Sequence, residues 1–598
     1  MSASLQISRR DVEFLLYEWL DTADLPSRAR YAEHDRETFD ALLDIAEEFA
    51  AETLAPINRL LDAHEPTMAA DGTVVQPPEL ARALRAYAET GLTASTFDAE
   101  LGGDQLPHVV RTAASVFLQA GSIGATAYPF LSEGNARLLV AHGTPEQIQT
   151  YAVPVIEGRW FGTMCLSEPQ AGSSLGDIVT RAVPQDDGTY RLTGSKMWIS
   201  GGDHELAENI VHLVLARTPG APAGVRGISL FIVPRYLPDA EGDPGERNDV
   251  SLAGLNHKMG YRGTTNTLLA FGDGAWTPQG RAGAVGFLVG EEGGGLAAMF
   301  HMMNGARIGV GAGAVALGYT GYLHALEYAR TRPQGRPHGR RDPAEPPVPI
   351  AAHPDVRRML LAQKSYVEGG LALVLLSSRL VDEQKTAETE AARAEADALL
   401  GVLTPITKSW PSQWCLRAND LAIQVHGGYG YARDFPVEQF YRDNRLNMIH
   451  EGTHGIQGLD LLGRKVAREN GWAPLAARIR RAIDAARMLG GDPERHAALL
   501  EAQLTTVEQA TADVVADPDR EVTLAHATAY LEATGHLVVA SLWLEQEVAA
   551  HGKTGAFYDG KRAAAEYFLA YELPIVPALL EPLVRRDRLT LDLDPAVL

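Results

Sequence analysis

Cysteine is nearly absent from this sequence: Cys165 and Cys415 are the only 2 in 598 residues. That excludes a disulfide framework and a Cys-rich metal site. An apolar run of 18 residues is also missing, so stable membrane insertion is not expected. The opening stretch MSASLQISRRDVEFLLYEWLDTADLPSRAR holds no apolar segment of the kind a secretory signal needs. Positive charge is in deficit. Lys and Arg total 53 against 76 Asp and Glu, a formal charge of −23. Neutralising phosphates along a nucleic acid takes clustered cations, so a general nucleic-acid coat is disfavoured. A local basic groove for one phosphorylated ligand stays open. Internal repeats and low-complexity tracts are absent too. What remains is ordinary globular composition, 45% hydrophobic and 22% charged, which excludes wholesale disorder. At roughly 150 residues per domain the length allows about four domains. The expectation is a soluble, acidic, cytoplasmic, multidomain protein.

The pattern changes along the chain. Residues 1–35 read as an N-terminal extension. From 36 to 160 the spacing is helical, with Phe39, Leu42, Leu43, Ala46 and Phe49 on one face. Between 161 and 283 the apolar runs shorten and fill with β-formers (TYRLTGSKMWIS, NIVHLVLAR, GISLFIVPR, TLLAFGD), and Asp187-Gly188 reads as a turn feeding a strand. Helical periodicity returns over 284–470, where Gly309, Gly311 and Gly313 allow close helix packing. It is interrupted by RTRPQGRPHGRRDPAEPPVPI, a loop by its Pro and Gly content. After Asn470-Gly471, residues 471–598 form a further Ala- and Leu-rich helical stretch. The fold class expected is mainly α, with a central small antiparallel β domain and an additional C-terminal α-helical bundle.

Five segments could carry chemistry. Met164-Cys-Leu-Ser-Glu-Pro-Gln-Ala-Gly-Ser173, followed by Ser174 and Gly176, takes a strand into small residues whose N–H and hydroxyl groups could hold oxygens. A plain strand connection reads equally well. Lys196-Met-Trp-Ile-Ser200 puts an aromatic beside a hydroxyl, or simply a buried Trp near a turn. Arg332-Pro-Gln334-Gly335 and Gln424-Val-His-Gly427-Gly428 each pair a hydrogen-bonding side chain with glycine, which lets a ligand approach the backbone. The fifth segment contains His450-Glu451-Gly452-Thr453-His454, a formal match to the HExxH zinc pattern. Gly452 and Thr453 are poor helix interiors, and the longer zinc-protease form fails at Gln457 and Asp460. A carboxylate in a Gly-flanked turn reads better as a general base or a structural cap.

Taken together, the order and setting of these segments resemble the acyl-CoA dehydrogenase flavoprotein family, in its long subgroup with an extra C-terminal helical domain. The resemblance runs from DVEFLLYEWL through LTASTFDAELGGDQLPHVV and GERNDV to FYDGKRAAAEYFLAYELP. It implies FAD-dependent α,β-dehydrogenation of an acyl-CoA thioester to the trans-2-enoyl-CoA, electrons passing to an electron-transfer flavoprotein, and a homo-oligomer, a dimer being favoured. Met164, Leu166, Ser167, Gly172 and Ser173 would surround the flavin ring and pyrophosphate. Trp198 and Ile199 would lie at the ring and Ser200 would hydrogen-bond it. Arg332, Gln334, Gln424, Gly427 and Gly428 would reach the FAD of a neighbouring subunit, while Thr453 and Gly455 would meet the adenine-nucleotide part. Ser173, Arg307 and Gly452 would contact substrate, and Glu451 would be the base. No metal is implied. Same-fold oxidases, desulfinases and DNA-binding alkylation-response proteins are the alternatives within this resemblance.

The chain departs from the family pattern at the base itself: His450 stands where relatives often carry Tyr, and His454 where Asn is common. Imidazoles titrate near neutrality, so an altered pH behaviour of Glu451 is expected. Ser167 and Ser174 stand for a frequent Thr and Asp, and Tyr261–Asn266 differs from the subgroup's usual run.

Overall fold

The computed structural model describes residues 5–337, 339, 342 and 344–598. His338, Arg340, Arg341 and Pro343 of the Pro/Arg-rich loop lie outside the described residues, as do the first four of the N-terminal extension. The chain divides into two compact units, one of 48–106 with 121–306, the other of the residues up to Glu47 with Pro107–Ala120 and Arg307–Leu598.

Helix α1 (Arg36–Phe49) begins at Asp35, whose carboxylate accepts from the Thr38 N–H and hydroxyl, both at 2.8 Å. It buries Phe39, Leu42, Leu43 and Ala46, the one-sided stripe that three- and four-residue spacing produces.

In the first unit, helix α2 (Ile123–His142) is capped by the Ser122 hydroxyl and packs on an eight-stranded sheet. Its strands are β1 (Phe161–Cys165), β2 (Arg181–Pro184), β3 (Tyr190–Ser200), β4 (Ile210–Ala216), β5 (Ser229–Pro234), β6 (Val250–Leu255), β7 (Asn266–Phe271) and β8 (Ala284–Val289). They order as β6-β7-β3-β8-β5-β4-β1, with β2 on β3. The pairing is antiparallel except between β1 and β4, which run parallel. Both are buried at every position, so neither shows the alternation that marks a half-exposed strand. β3 is the hinge of the sheet: Tyr190–Leu192 pair with β8, and Gly194–Ser200 with β7. Asn135 of α2 donates to the carbonyls of Thr163 at 3.1 Å and Val211 at 2.9 Å, fixing the helix over β1 and β4.

The second unit is helical. α3 (Gly295–Thr331) enters it at Arg307, followed by α4 (Pro354–Thr386), α5 (Glu390–His426) and α6 (Val437–Asn444). α4 is long and apolar enough to span a membrane by composition, but 89% of its apolar window is buried in the protein. A helix apolar all round is a core helix. Ala556–Val584 passes the same compositional test with 39% burial. Of the glycines expected to admit close packing, Gly311 does so: a Cβ there would lie 2.2 Å from the Thr407 carbonyl oxygen of α5.

The C-terminal helices α7 (Trp472–Arg487), α8 (Gly491–Ala516), α9 (Ala527–Ala549), α10 (Ala556–Tyr567) and α11 (Val576–Val584) belong to this same unit. α9 is buried along most of its length. Its Trp543 donates to the Ser365 carbonyl of α4 at 3.1 Å. The C-terminal stretch is therefore seated on the α4–α5 core.

Candidate active site

In the sheet-containing unit, β1 stops at Cys165 and the chain continues as a loop to Thr180. Glu168 and Ala171 exchange backbone hydrogen bonds at 2.9 and 3.0 Å, pinching it. The buried Glu168 carboxylate accepts from the Val179 N–H at 2.7 Å, from the Thr180 N–H at 3.0 Å and hydroxyl at 2.6 Å, and from Lys196 Nζ at 2.9 Å. Lys196 is fully buried and also donates to the Leu166 carbonyl at 3.0 Å. Burial pushes Glu168 up, but the Lys196 charge and the donors around it prevail and hold it at about 2. An ionised pair so completely hydrogen-bonded fixes both ends of the loop to β3. Met164 is buried, Leu166 and Ser167 are half-buried, and Gly172 and Ser173 are exposed.

β3 carries a bulge at this point. Thr267 pairs with Ile199 and Leu269 with Lys196, so three steps on β3 face two on β7. The extra residue falls at Met197–Trp198, and Trp198 takes a φ of 66°. A bulky residue in the left-handed region is an outlier, the kind that clusters at ligand sites. Its side chain stands 60% exposed. The Met197 N–H donates to the Ser167 carbonyl at 2.9 Å, tying the bulge to the loop. Ile199 is buried, and the Ser200 hydroxyl accepts from Asn266 at 3.2 Å. The structure thus brings Ser167, Trp198 and Ser200 together. Glu168 and Lys196, which organise them, carried no functional reading in the sequence.

The second group lies in the helical unit. Glu451 sits in a turn with φ 54°, and the helix His454–Leu459 starts only after it. The continuous helix that HExxH needs is therefore broken at its second residue. Gln457, buried in that short helix, donates to the carbonyls of Glu451 at 3.0 Å and Gly452 at 3.3 Å, holding the left-handed backbone. On the other side an amide ladder supports the turn. Asn419 donates to the Leu317 carbonyl at 2.9 Å, Asn444 to Asn419 at 2.7 Å, Asn447 to Asn444 at 3.0 Å, and His450 Nε2 lies 3.1 Å from Asn447 Oδ1. None of these asparagines was read as a site residue; spacing within one helix does not reveal a ladder across three elements.

The Glu451 carboxylate is half-buried and engages no hydrogen bond among the described residues. Enclosure raises its proton affinity above the ordinary carboxylate value, and the charges of Lys408 and Arg307 pull the other way. Lys408, on α5, is fully buried and its ammonium has no hydrogen-bond partner among the described residues. Burial brings it down to about 7 despite the attraction of Glu451, with Arg307 adding to the depression. Arg307 is 3% exposed and donates to Asp460 at 2.8 Å. His450 does not titrate near neutrality as expected: enclosure, with the Lys408 charge second, takes it to about 3. The titratable group that interacts with Glu451 is Lys408.

A cleft of about 600 Å³ in the same unit gathers Arg332, Gln334, Gly427 and Gly428 beside Tyr328 and His426. The Arg332 guanidinium lies 5.6 Å from the Tyr429 ring centre, and His426 stacks on Tyr328 at 4.4 Å. Gln424 is exposed one turn earlier and is not part of this lining. Thr453 is exposed at the head of the short helix and Gly455 is half-buried within it.

Four family models match in chain order: the acyl-CoA dehydrogenase N-terminal domain over 36–159, the middle domain over 163–273, the C-terminal domain over 293–467, and the acetyl-CoA dehydrogenase C-terminal-like region over 475–594. The chain is 40% identical to 3-methylmercaptopropionyl-CoA dehydrogenase of Ruegeria pomeroyi over 77% of its own length and 76% of that protein. It is 33% identical to the broad-specificity linear acyl-CoA dehydrogenase FadE5 of Mycobacterium tuberculosis, over 98% of both. Among solved structures, an acyl-CoA dehydrogenase complexed with FAD from Bacillus anthracis shares the fold, with a TM-score of 0.73 at 21% identity. That match covers 96% of this chain and 91% of that one.

Proposed function

The chain belongs to the acyl-CoA dehydrogenase family, and on that premise we propose that it uses FAD to convert an acyl-CoA thioester to the trans-2-enoyl-CoA, with Glu451 as the base. The observation that carries this reading is Glu451 itself. It is a half-buried carboxylate with no hydrogen-bond donor among the described residues and a raised proton affinity, on a turn held at φ 54°. The α-proton of a thioester is weakly acidic, and a base works best when its own proton affinity approaches the working pH. Charge developing on the thioester oxygen needs donors already in place. The Glu451 N–H, spent on no backbone acceptor among the described residues, would supply one.

The residues fit FAD. An exposed indole on strained backbone offers a ring face, the Ser200 hydroxyl stands beside it, and Gly172 and Ser173 leave an open loop for phosphate oxygens. Met164, Leu166, Ser167, Trp198, Ile199 and Ser200 would hold the ring side. When bound, FAD supplies the capacity to take the hydride equivalent from the β-carbon. The Arg332–Gly428 cleft, which has a guanidinium and bare backbone at one mouth, would receive part of the FAD bound to a neighbouring copy, which favours a homodimer. Ser173 would contact the CoA arm; Arg307, engaged with Asp460, would act on the thioester end through its charge. An electron-transfer flavoprotein would accept the electrons, and the enzyme would work in the cytoplasm.

Anaerobic mixing of the FAD-loaded protein with acyl-CoA thioesters tests the reading. Wild type should bleach its flavin with at least one thioester, and Glu451→Gln should bind FAD and acyl-CoA yet bleach on the order of 10²–10⁴ times more slowly. Full-speed bleaching by Glu451→Gln would place the base elsewhere.

A further inference from the structure

Glu451 has a backbone conformation that few non-glycine residues adopt without support, and the support comes from Gln457. Gln457 lies near the start of a helical run that begins at His454 and continues without a break through Leu459 into a π-helical stretch ending at Val466. A helical run of this length is marginal by itself, and its first turn has no helix before it to hold it. Something outside it must fix its place.

Arg307 of α3 holds the run at Asp460, and α9, the central helix of the C-terminal stretch, holds its first turns. Gly458 sits against the first turn of α9: a Cβ there would lie 2.7 Å from the Ala527 carbonyl oxygen and 3.0 Å from the Thr528 nitrogen. One turn earlier, His454 Nε2 is 3.5 Å from Glu532 Oε1. This is ion-pair range rather than a hydrogen bond, and neither imidazole nitrogen has a hydrogen-bond partner among the described residues. His454 and Gly458 are four apart, as are Thr528 and Glu532, so each pair shares a helix face. Matching 458 to 527–528 and 454 to 532 makes two rungs of an antiparallel contact. Glu532 is anchored in turn, accepting from Gln413 of α5 at 3.2 Å. Its carboxyl is held below the usual range: burial raises it, but the His454 and Gln413 contacts outweigh that.

We propose that Glu532 is a positioning residue for the base, fixing through His454 the start of the helix whose Gln457 holds the backbone at Glu451. The C-terminal stretch is then part of the catalytic apparatus of this chain, although none of its side chains need touch substrate. The inference rests on the reading of Glu451 as the base.

The test uses the full-length, FAD-loaded protein. Glu532→Ala and, separately, His454→Ala should each slow anaerobic flavin reduction about tenfold, within the penalty that misplacement of a reacting group carries. The acyl-CoA dissociation constant should change less than about threefold. The double variant should be no slower than either single one, since both cut the same link. Backbone amide exchange over 451–457 should accelerate in all three. Val539→Ala, on the same helix but packed against Gly369 of α4, serves as the control. It should lower Tm while leaving both the reduction rate and the exchange at 451–457 unchanged. The proposal is overturned if Glu532→Ala reduces its flavin at the wild-type rate with wild-type exchange, or if Val539→Ala slows reduction as much as Glu532→Ala. A fast Glu451→Gln, run alongside, would instead remove the base assignment, and the exchange measurement would still report on the Glu532–Gln457 link.

Discussion

Buried Lys408 and half-buried Glu451 carry opposite charges in the same part of the helical unit, and neither side chain is hydrogen-bonded among the described residues. Each acts on the other's protonation. The lysine restrains the rise that enclosure imposes on the glutamate, and the glutamate restrains the fall that burial imposes on the lysine. A buried ammonium without a partner is costly, so this one persists against a penalty that a methionine in its place would avoid. In the proposed reaction it keeps the base ionised.

Replacing Lys408 by Met therefore has a signed consequence. Removing a positive charge raises the proton affinity of Glu451, so the acid limb of the rate of flavin reduction moves to higher pH. Lys408→Arg, whose charge does not titrate away, should bring the limb back toward wild type. The pH profile of single-turnover flavin bleaching measures both, and an unmoved limb in Lys408→Met would show that the two charges are uncoupled.

His496 gives a prediction about stability. It is buried between Glu547, 2.7 Å from Nδ1, and Glu566, 2.9 Å from Nε2. Burial disfavours its charged form, yet the two carboxylates win and its pKa lies above the ordinary 6.5. A raised folded pKa contributes stability that is complete below the unfolded value and lost as pH climbs through the folded one. The Tm advantage of wild type over His496→Gln should therefore be largest below the ordinary histidine pKa of 6.5 and shrink as pH rises above it. Thermal melts on both sides of that value decide it; an advantage that grows with pH contradicts the assignment.

Lys561 on α10 lies 2.9 Å from Glu368 of α4 and also pairs with Asp11, all three essentially inaccessible. Lys561→Met would remove the ion-pair partner of Asp11 and leave Glu368 with Lys364 alone. Breaking a buried pair in this way costs about 3–5 kcal/mol, readable as a fall in the denaturation midpoint. A loss under about 1 kcal/mol would mean that Lys364, which also pairs with Glu368, suffices alone.

How much of this was legible in the sequence depends on whether a feature is local. The helical, β, helical, helical order shows in periodicity, and Ser167, Trp198, Ser200 and Glu451 stand in segments dense enough to be picked out. The parallel β1–β4 pair is not visible, because strands buried on both faces lose their alternation. Nor is the bulge, since Trp198 sits inside a run of good strand formers. Glu168 and Lys196 lie in two quoted segments, but their pairing depends on how β1 and β3 come together. Lys408 is one cation in a long helical stretch, and only tertiary packing makes it buried. His450 drew attention as a titratable group, and enclosure removed it from that role.

Trp198 allows the strain itself to be weighed. At φ 66° any Cβ is disfavoured, by roughly 1–2 kcal/mol relative to glycine. The side chain, 60% exposed, returns little of that by packing. Trp198→Gly and Trp198→Ala both remove the indole, but only glycine relaxes the backbone. Flavin-free Trp198→Gly should therefore be about 1 kcal/mol more stable than Trp198→Ala, the gain reduced somewhat by the extra chain entropy of glycine. Both should retain FAD less well than wild type through gel filtration, because the proposed ring contact is gone. Equal stability of the two variants would show that the bulge relaxes without cost. Undiminished FAD retention by both would remove Trp198 from the flavin site. A glycine variant that is the more stable and the poorer at holding flavin would mean that this position trades stability for a ligand.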